Sequence, residues 1–180
     1  NASASTGEVI RQMIRTASPN MVNDALEMTL EVNGATITQN ISTKESDTYF
    51  YTAHMSVKDF KVYFGGDAEP ETTFVDRWNQ QASMWLNMGY YPSQIIEEWC
   101  LQGSQSIVCN DLEAETEYYF YAFAIDAETA FVASPIILEK VTTEAIQQSG
   151  MTINIEVKDI YATTANVYWT ASDPEGWFAR

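Results

Sequence analysis

The chain of 180 residues carries 25 acidic side chains against 9 basic ones and a single histidine, a formal charge of −16. That excess of carboxylates excludes a nucleic-acid backbone or an anionic lipid surface as partner, because both need Lys and Arg to neutralise phosphate. Hydrophobic residues make up 46% and aromatics 13%, enough for a packed core, so the charge does not imply disorder. No apolar run reaches the roughly 18 residues of a membrane span, and no basic-then-apolar start resembles a signal peptide. The expectation is a soluble segment without direct membrane insertion.

In chain order, residues 7–15, with Val9, Ile10, Met13 and Ile14, and residues 20–28, after Ser18 and Pro19, read as a pair of helices. Residues 49–53 read as a strand. A second helical pair follows. Phe74, Trp78, Ala82 and Trp85 recur at helical spacing, with Thr72 or Thr73 as N-cap and Gly89 as stop; in residues 93–101 Ile95 and Trp99 share a face, and Gly103 ends the helix. Residues 118–125 (YYFYAFAI) are apolar on both faces, as suits the central strand of a sandwich. Residues 136–143 read as a last strand, and 145–150 as a polar linker, placing a boundary near residue 148. Beyond it, residues 153–157 alternate apolar and polar, as do Ala165, Val167 and Trp169 with their neighbours, so two half-buried strands are expected.

The chain matches itself at an offset of 70 residues. Residues 37–53 align without a gap on 107–123, with Ile37/Ile107, Asn40/Asn110, Glu45/Glu115, Tyr49/Tyr119, Phe50/Phe120 and Tyr51/Tyr121 identical. The duplication suggests tandem repeats: residues 1–57 as the later part of one, 58–145 as most of a second, and 151–180 as the opening strands of a third. Trp177 and Phe178, running into Asn1, would then correspond to Tyr63 and Phe64. On this reading residues 151–180 complete 1–57 in cis or by strand exchange between molecules. The alternative is a helical leader over 1–27, with the first sandwich starting at Met28.

Catalytic patterns are sparse. The sequence has no GxSxG elbow, glycine-rich phosphate loop, HExxH pair or second histidine for a relay, so no enzyme, cofactor or metal is expected. His54 reads as structural or solvent-facing. The acidic groups around Pro70 and Pro174 lack the frame of a calcium loop and read as solvated turns. Cys100 and Cys109 are either two buried small hydrophobes or a bridge closing a short loop. Trp78, Trp85 and Trp99 serve either to pack the helices onto the sheets or, with Tyr90 and Tyr91 of the intervening turn, to bind a partner through exposed rings.

Three stretches resemble fibronectin type III modules. Residues 163–169 (TTANVYW), ending in Trp169, are similar to that family's second strand. Residues 112–118 (LEAETEY) resemble the Leu-x-Pro-x-Thr-x-Tyr stretch, with Leu112 in the core and Tyr118 as a corner tyrosine whose hydroxyl returns to the backbone, although Ala114 stands in place of the proline. Residues 141–144 (VTTE) resemble the closing strand. With the helical insert, the whole is similar to repeats in surface lipoproteins of Gram-negative gut anaerobes. The resemblance implies a mainly β fold of fibronectin type III-like sandwich repeats with helical insertions (α+β overall). It also implies a cell-envelope, outer-membrane-surface or secreted location. The expected function is a non-catalytic interaction or spacer module with a protein partner, or alternatively a glycan-binding module using the insert's aromatics.

Overall fold

The computed structural model describes residues 21–145 and 152–172. The chain divides into two compact units, with the division between Glu144 and Ala145. The first contains, in order, β1 (Leu26–Asn33), β2 (Thr36–Thr43), β3 (Tyr49–Ser56), α1 (Val57–Phe64), α2 (Pro70–Asn87), α3 (Pro92–Trp99), β4 (Leu101–Gln102), β5 (Gln105–Cys109), β6 (Glu117–Ile125) and β7 (Ile137–Thr142). The second contains β8 (Ile153–Lys158) and β9 (Asn166–Ala171).

The first unit is mainly β, and its strands form a three-stranded antiparallel sheet of order β1-β2-β5 and a four-stranded antiparallel sheet of order β4-β3-β6-β7. Side-chain alternation in β6 explains how the layers stack. Tyr118, Phe120, Ala122 and Ala124 join Leu26, Met28, Ile37, Ile41 and Phe50 in a core between the two sheets. Tyr121, Phe123 and Ile125 point the other way, into a second core with Phe60, Phe74, Trp78, Ile95 and Ile96 of the helices. The order of layers is therefore three-stranded sheet, four-stranded sheet, helices. Phe120 and Phe123 are both fully buried, on opposite faces of one strand, and burying each such side chain stabilises the fold by about 1.5–3 kcal/mol.

Local chemistry sets the helix starts. The Ser56 hydroxyl accepts from the Asp59 N–H (3.0 Å) and donates to its carboxylate (2.8 Å), capping α1. Pro70 and Pro92 occupy the first turns of α2 and α3, and the Tyr91 N–H donates to Gln94 Oε1 (2.9 Å). The Trp78 indole N–H donates to the Ala130 carbonyl (3.0 Å), while Asn79 Oδ1 accepts from the Val132 N–H (3.2 Å), so α2 is fastened to the β6–β7 connection.

The two sheets are tied at their ends. The Glu113 N–H donates to the Tyr118 hydroxyl (2.9 Å), forming a corner at the start of β6. Thr143, just past β7 and nearly fully buried, accepts from the Thr116 N–H (2.9 Å) and donates to the Glu113 carbonyl (2.6 Å). The Glu144 N–H donates to the Gly34 carbonyl (2.8 Å) and the Gly34 N–H to the Glu144 carboxylate (3.3 Å), tying the end of the unit to the β1–β2 turn.

In the second unit β8 and β9 pair antiparallel with Ile155 opposite Trp169. Ile153, Ile155 and Val157 lie on one face of β8, with Asn154, Glu156 and Lys158 on the other. Lys158 pairs with Glu156 at 2.8 Å.

Several sequence expectations are corrected. No boundary falls at residue 57: β1–β3 interleave with β4–β7 in both sheets. β1 begins at Leu26, close to the alternative start at Met28. The 70-residue match reports something else. Its two halves are β2 continuing into β3 and β5 continuing into β6; β2 pairs with β5 and β3 with β6. Each half is a crossover from one sheet to the other within one unit. The helix expected over 20–28 is absent from its described part, because the chain turns at Asn23 and Asp24, the latter at φ +59, and enters β1 at Leu26. The helix expected over 7–15 and the ends beyond residue 172 lie outside the described residues.

Replacing Thr143 by Val, which keeps its volume and removes the hydroxyl, is expected to cost about 1–3 kcal/mol because the Thr116 N–H and Glu113 carbonyl lose a buried partner. Tyr118→Phe, with one bond lost, is expected to cost about 1 kcal/mol. Urea unfolding of residues 21–145 checks both, and two wild-type midpoints would refute the clamp.

Candidate functional site

The aromatic residues of the helical layer separate by depth. Trp78 is buried (5% exposed) and lies 4.4 Å from the Tyr51 ring on β3. Trp85 meets Trp78 edge to face at 6.1 Å and 77°, and Trp99 stacks on Trp85 at 5.3 Å and 17°. The rings thus form a ladder from the sheet to the surface, where Trp99 is 50% exposed. Of the five aromatics singled out from the sequence, Trp78 is a core residue and Trp85 its half-buried support. Trp99, Tyr90 (50% exposed) and Tyr91 (70%) are open to solvent.

Tyr90 and Tyr91 sit in the α2–α3 turn, which backbone bonds hold, and Trp99, the last residue of α3, reaches the end of α2 through its stack on Trp85. The Met88 N–H donates to the Met84 carbonyl (3.0 Å), the Tyr90 N–H to the Trp85 carbonyl (3.1 Å) and the Gln94 N–H to the Tyr91 carbonyl (3.0 Å). Gly89 turns the chain at φ +96, which favours glycine. Met84 and Met88, one turn apart, are also exposed, as is Leu101 on β4. Sequence reading missed the two methionines; their spacing on the side of the α2 apolar stripe was the available signal.

Burial shifts the titration of the histidine and of both thiols. His54, exposed near the end of β3, stacks on Phe120 at 5.1 Å and 22°, with its Nδ1 3.7 Å from Cys109 Sγ. Burial lowers the His54 pKa and raises that of Cys109, which disfavours the thiolate–imidazolium pair that a cysteine nucleophile needs. Cys100 packs with the helix-side core and Cys109 with the sheet–sheet core. Both thiols are free, so the bridge considered for them is not formed, and burial pushes Cys100 up to about 12. Burial likewise raises the phenols of Tyr51 and Tyr121.

A half-open cleft of about 250 Å³ is lined by Asn23, Asp24, Ala25, Leu26, Ser134, Pro135 and Ile137. Its serine hydroxyl is committed to the backbone, accepting from the Ala124 N–H and donating to the Pro135 carbonyl. Among the described residues no three His, Cys, Asp or Glu side chains gather to hold a metal ion. Leu112 and Tyr118 lie in the sheet–sheet core. Trp169 lies in β9.

No protein-family model matches the chain, and no curated protein is significantly similar to it.

With the lowered pKa, folded His54 takes up a proton less readily than the unfolded chain. Its contribution to stability is therefore present above the unfolded value of about 6.5 and is lost as the pH falls through the folded value. His54→Phe keeps the stack on Phe120 and removes the titration; its melting temperature relative to wild type is expected to rise on acidification from neutral pH, and a constant difference would contradict this. Native protein treated with a thiol reagent should show two reactive thiols, Cys109 modified before the more deeply buried Cys100; a single slow phase for both would contradict the placement.

Proposed function

We propose that the first unit is a non-catalytic interaction module of fibronectin type III-like kind, whose inserted helices present the recognition surface. The fold part is supported by seven antiparallel strands in sheets of three and four, and by a corner tyrosine at the start of β6, features of immunoglobulin-like sandwiches. The observation that carries the functional part is the α2–α3 corner. There a hydrogen-bonded turn carries Tyr90 and Tyr91, the end of α2 carries Met84 and Met88, and Trp99 at the end of α3 stacks on Trp85, all exposed although the same helices bury Phe74, Trp78, Ile95 and Ile96. Exposed apolar side chains gathered on an otherwise well-packed element mark a binding surface. The resemblance of the sequence pieces to surface lipoprotein repeats supports a cell-surface or secreted setting and a role as one module among several.

A second reading, neutral glycan binding, is favoured by one observation: the flat, half-exposed Trp99 ring held in place by Trp85. Protein and glycan arrays probed with wild type and with a Trp99→Ala, Tyr91→Ala double variant test the proposal. Binding by wild type that the folded variant loses is expected, and the class of array that responds separates the two readings. A wild-type protein silent on both arrays would overturn the interaction role.

A further inference from the structure

We propose that the α2–α3 corner docks a protein segment that combines apolar side chains with Lys or Arg, a partner chemistry that rests on the interaction reading above. The first support is charge. From Trp78 through Cys109 the only charged side chains are Glu97 and Glu98, both exposed, on a chain of net charge −16. A cation on the partner meets these two carboxylates, and the nearest basic side chain before them along the chain is Arg77, on the middle of α2. The second is the indole. One face of Trp99 lies on Trp85 and half of the side chain is exposed; an indole face attracts ammonium or guanidinium groups through its quadrupole. The stack behind it fixes the ring before any partner arrives, which limits the ordering cost of binding.

The third support separates a protein from a sugar. Met84 and Met88 are exposed on the last turns of α2, the helix that carries Trp85. These flexible, unbranched chains offer no flat face and no hydrogen bond to sugar hydroxyls. Methionine adapts to varied apolar side chains and is over-used at surfaces that receive peptide segments. Tyr90 and Tyr91 add rings with polar tips, the residue type most at home at the boundary of such a contact.

The test is titration calorimetry of the full 180-residue chain, at physiological ionic strength, with an amphipathic peptide of Leu and Lys, its Leu/Glu counterpart, a Ser/Lys peptide of equal charge, and neutral oligosaccharides of glucose and mannose. The Leu/Lys peptide is expected to bind and the other probes to bind at least about tenfold more weakly. Trp99→Ala with Met88→Ala, which leaves the charge unchanged, is expected to weaken the Leu/Lys peptide about tenfold or more. Glu97→Gln with Glu98→Gln is expected to weaken it several-fold and to flatten its salt dependence. Tyr91→Ala, at a side chain that is 70% exposed, supplies a variant that leaves the packed core intact should the Trp99 variant unfold, and it too is expected to bind less well.

The proposal is overturned if the Leu/Lys peptide fails to bind, if the Ser/Lys peptide binds equally well, or if the folded corner variants bind like wild type. An oligosaccharide that binds and is lost with Trp99 overturns it in favour of a glycan site. In that last case the broader interaction role stands and only this partner assignment fails; array binding that survives loss of Trp99 and Tyr91 removes the helical layer as the recognition surface as well. Silence on both arrays removes the role itself.

Discussion

β6 is apolar on both faces, and the rest of the first unit follows from that. A strand carrying Phe120 on one side and Tyr121 and Phe123 on the other cannot lie on the surface of a two-layer protein without exposing rings. It needs a layer against each face. The three-stranded sheet supplies one and the helices supply the other, so the helical insert completes the burial of the central strand. This also explains the insert's position in the chain. It leaves at the end of β3 and returns through the short β4 to the edge of the same sheet, and the intervening helices lie across the outer face of β3 and β6. Tyr121 stacks on Phe74 at 4.0 Å and 11°, the closest ring pair between a helix and the sheet.

Between the sheets lies a buried polar pair. Gln39, on β2 and 2% exposed, accepts from the Thr52 hydroxyl of β3 (3.0 Å) and donates to Met28 Sδ (2.8 Å). A buried amide tolerates little displacement once its partners are fixed. The Gln39–Thr52 contact links the two sheets at one register, and a slide of either sheet leaves a buried polar group unpaired.

Much of this was legible in the sequence and some was not, for identifiable reasons. Periodicity found β6, β7, α2 and most of α3, because each buries one or two faces along its length, and it found β8 and β9 from their alternation alone, although β8, expected to be half-buried, is exposed throughout. It overlooked α1, although Ser56 and Asp59 followed by Phe60 and Phe64 form a capping signature, because eight residues hold barely two turns. The self-match at 70 residues was real, and its meaning changed with the topology. Phe50 and Phe120, identical in the match, both fill the sheet–sheet core, while Tyr51 and Tyr121 both face the helices. Equivalent strands of one unit face equivalent layers and so converge on the same alternation, which sequence comparison alone cannot distinguish from a repeated domain. The site was legible only as a set of aromatic residues. Which rings stay in solvent depends on where α3 lands relative to α2, and neither helix carries that information by itself. The approach of His54 to Cys109, 55 residues apart, depends on two sheets meeting at their rim and has no local signal.

The ties made by Thr143 and Glu144 bear on how the unit comes apart. The last residues of most domains fray, and a frayed end is where proteases and neighbouring unfolded chains gain their first hold. Here the exit from β7 is fastened twice. The side chain of Thr143 is locked under the Tyr118 corner, and the backbone of Glu144 is bonded to the β1–β2 turn. β7 therefore cannot peel from the sheet without first releasing the hairpin at the other end of the sequence, which joins the loss of the last strand to the loss of the first. A pull on the backbone at Glu144 is therefore carried into the β1–β2 turn as well as into β7.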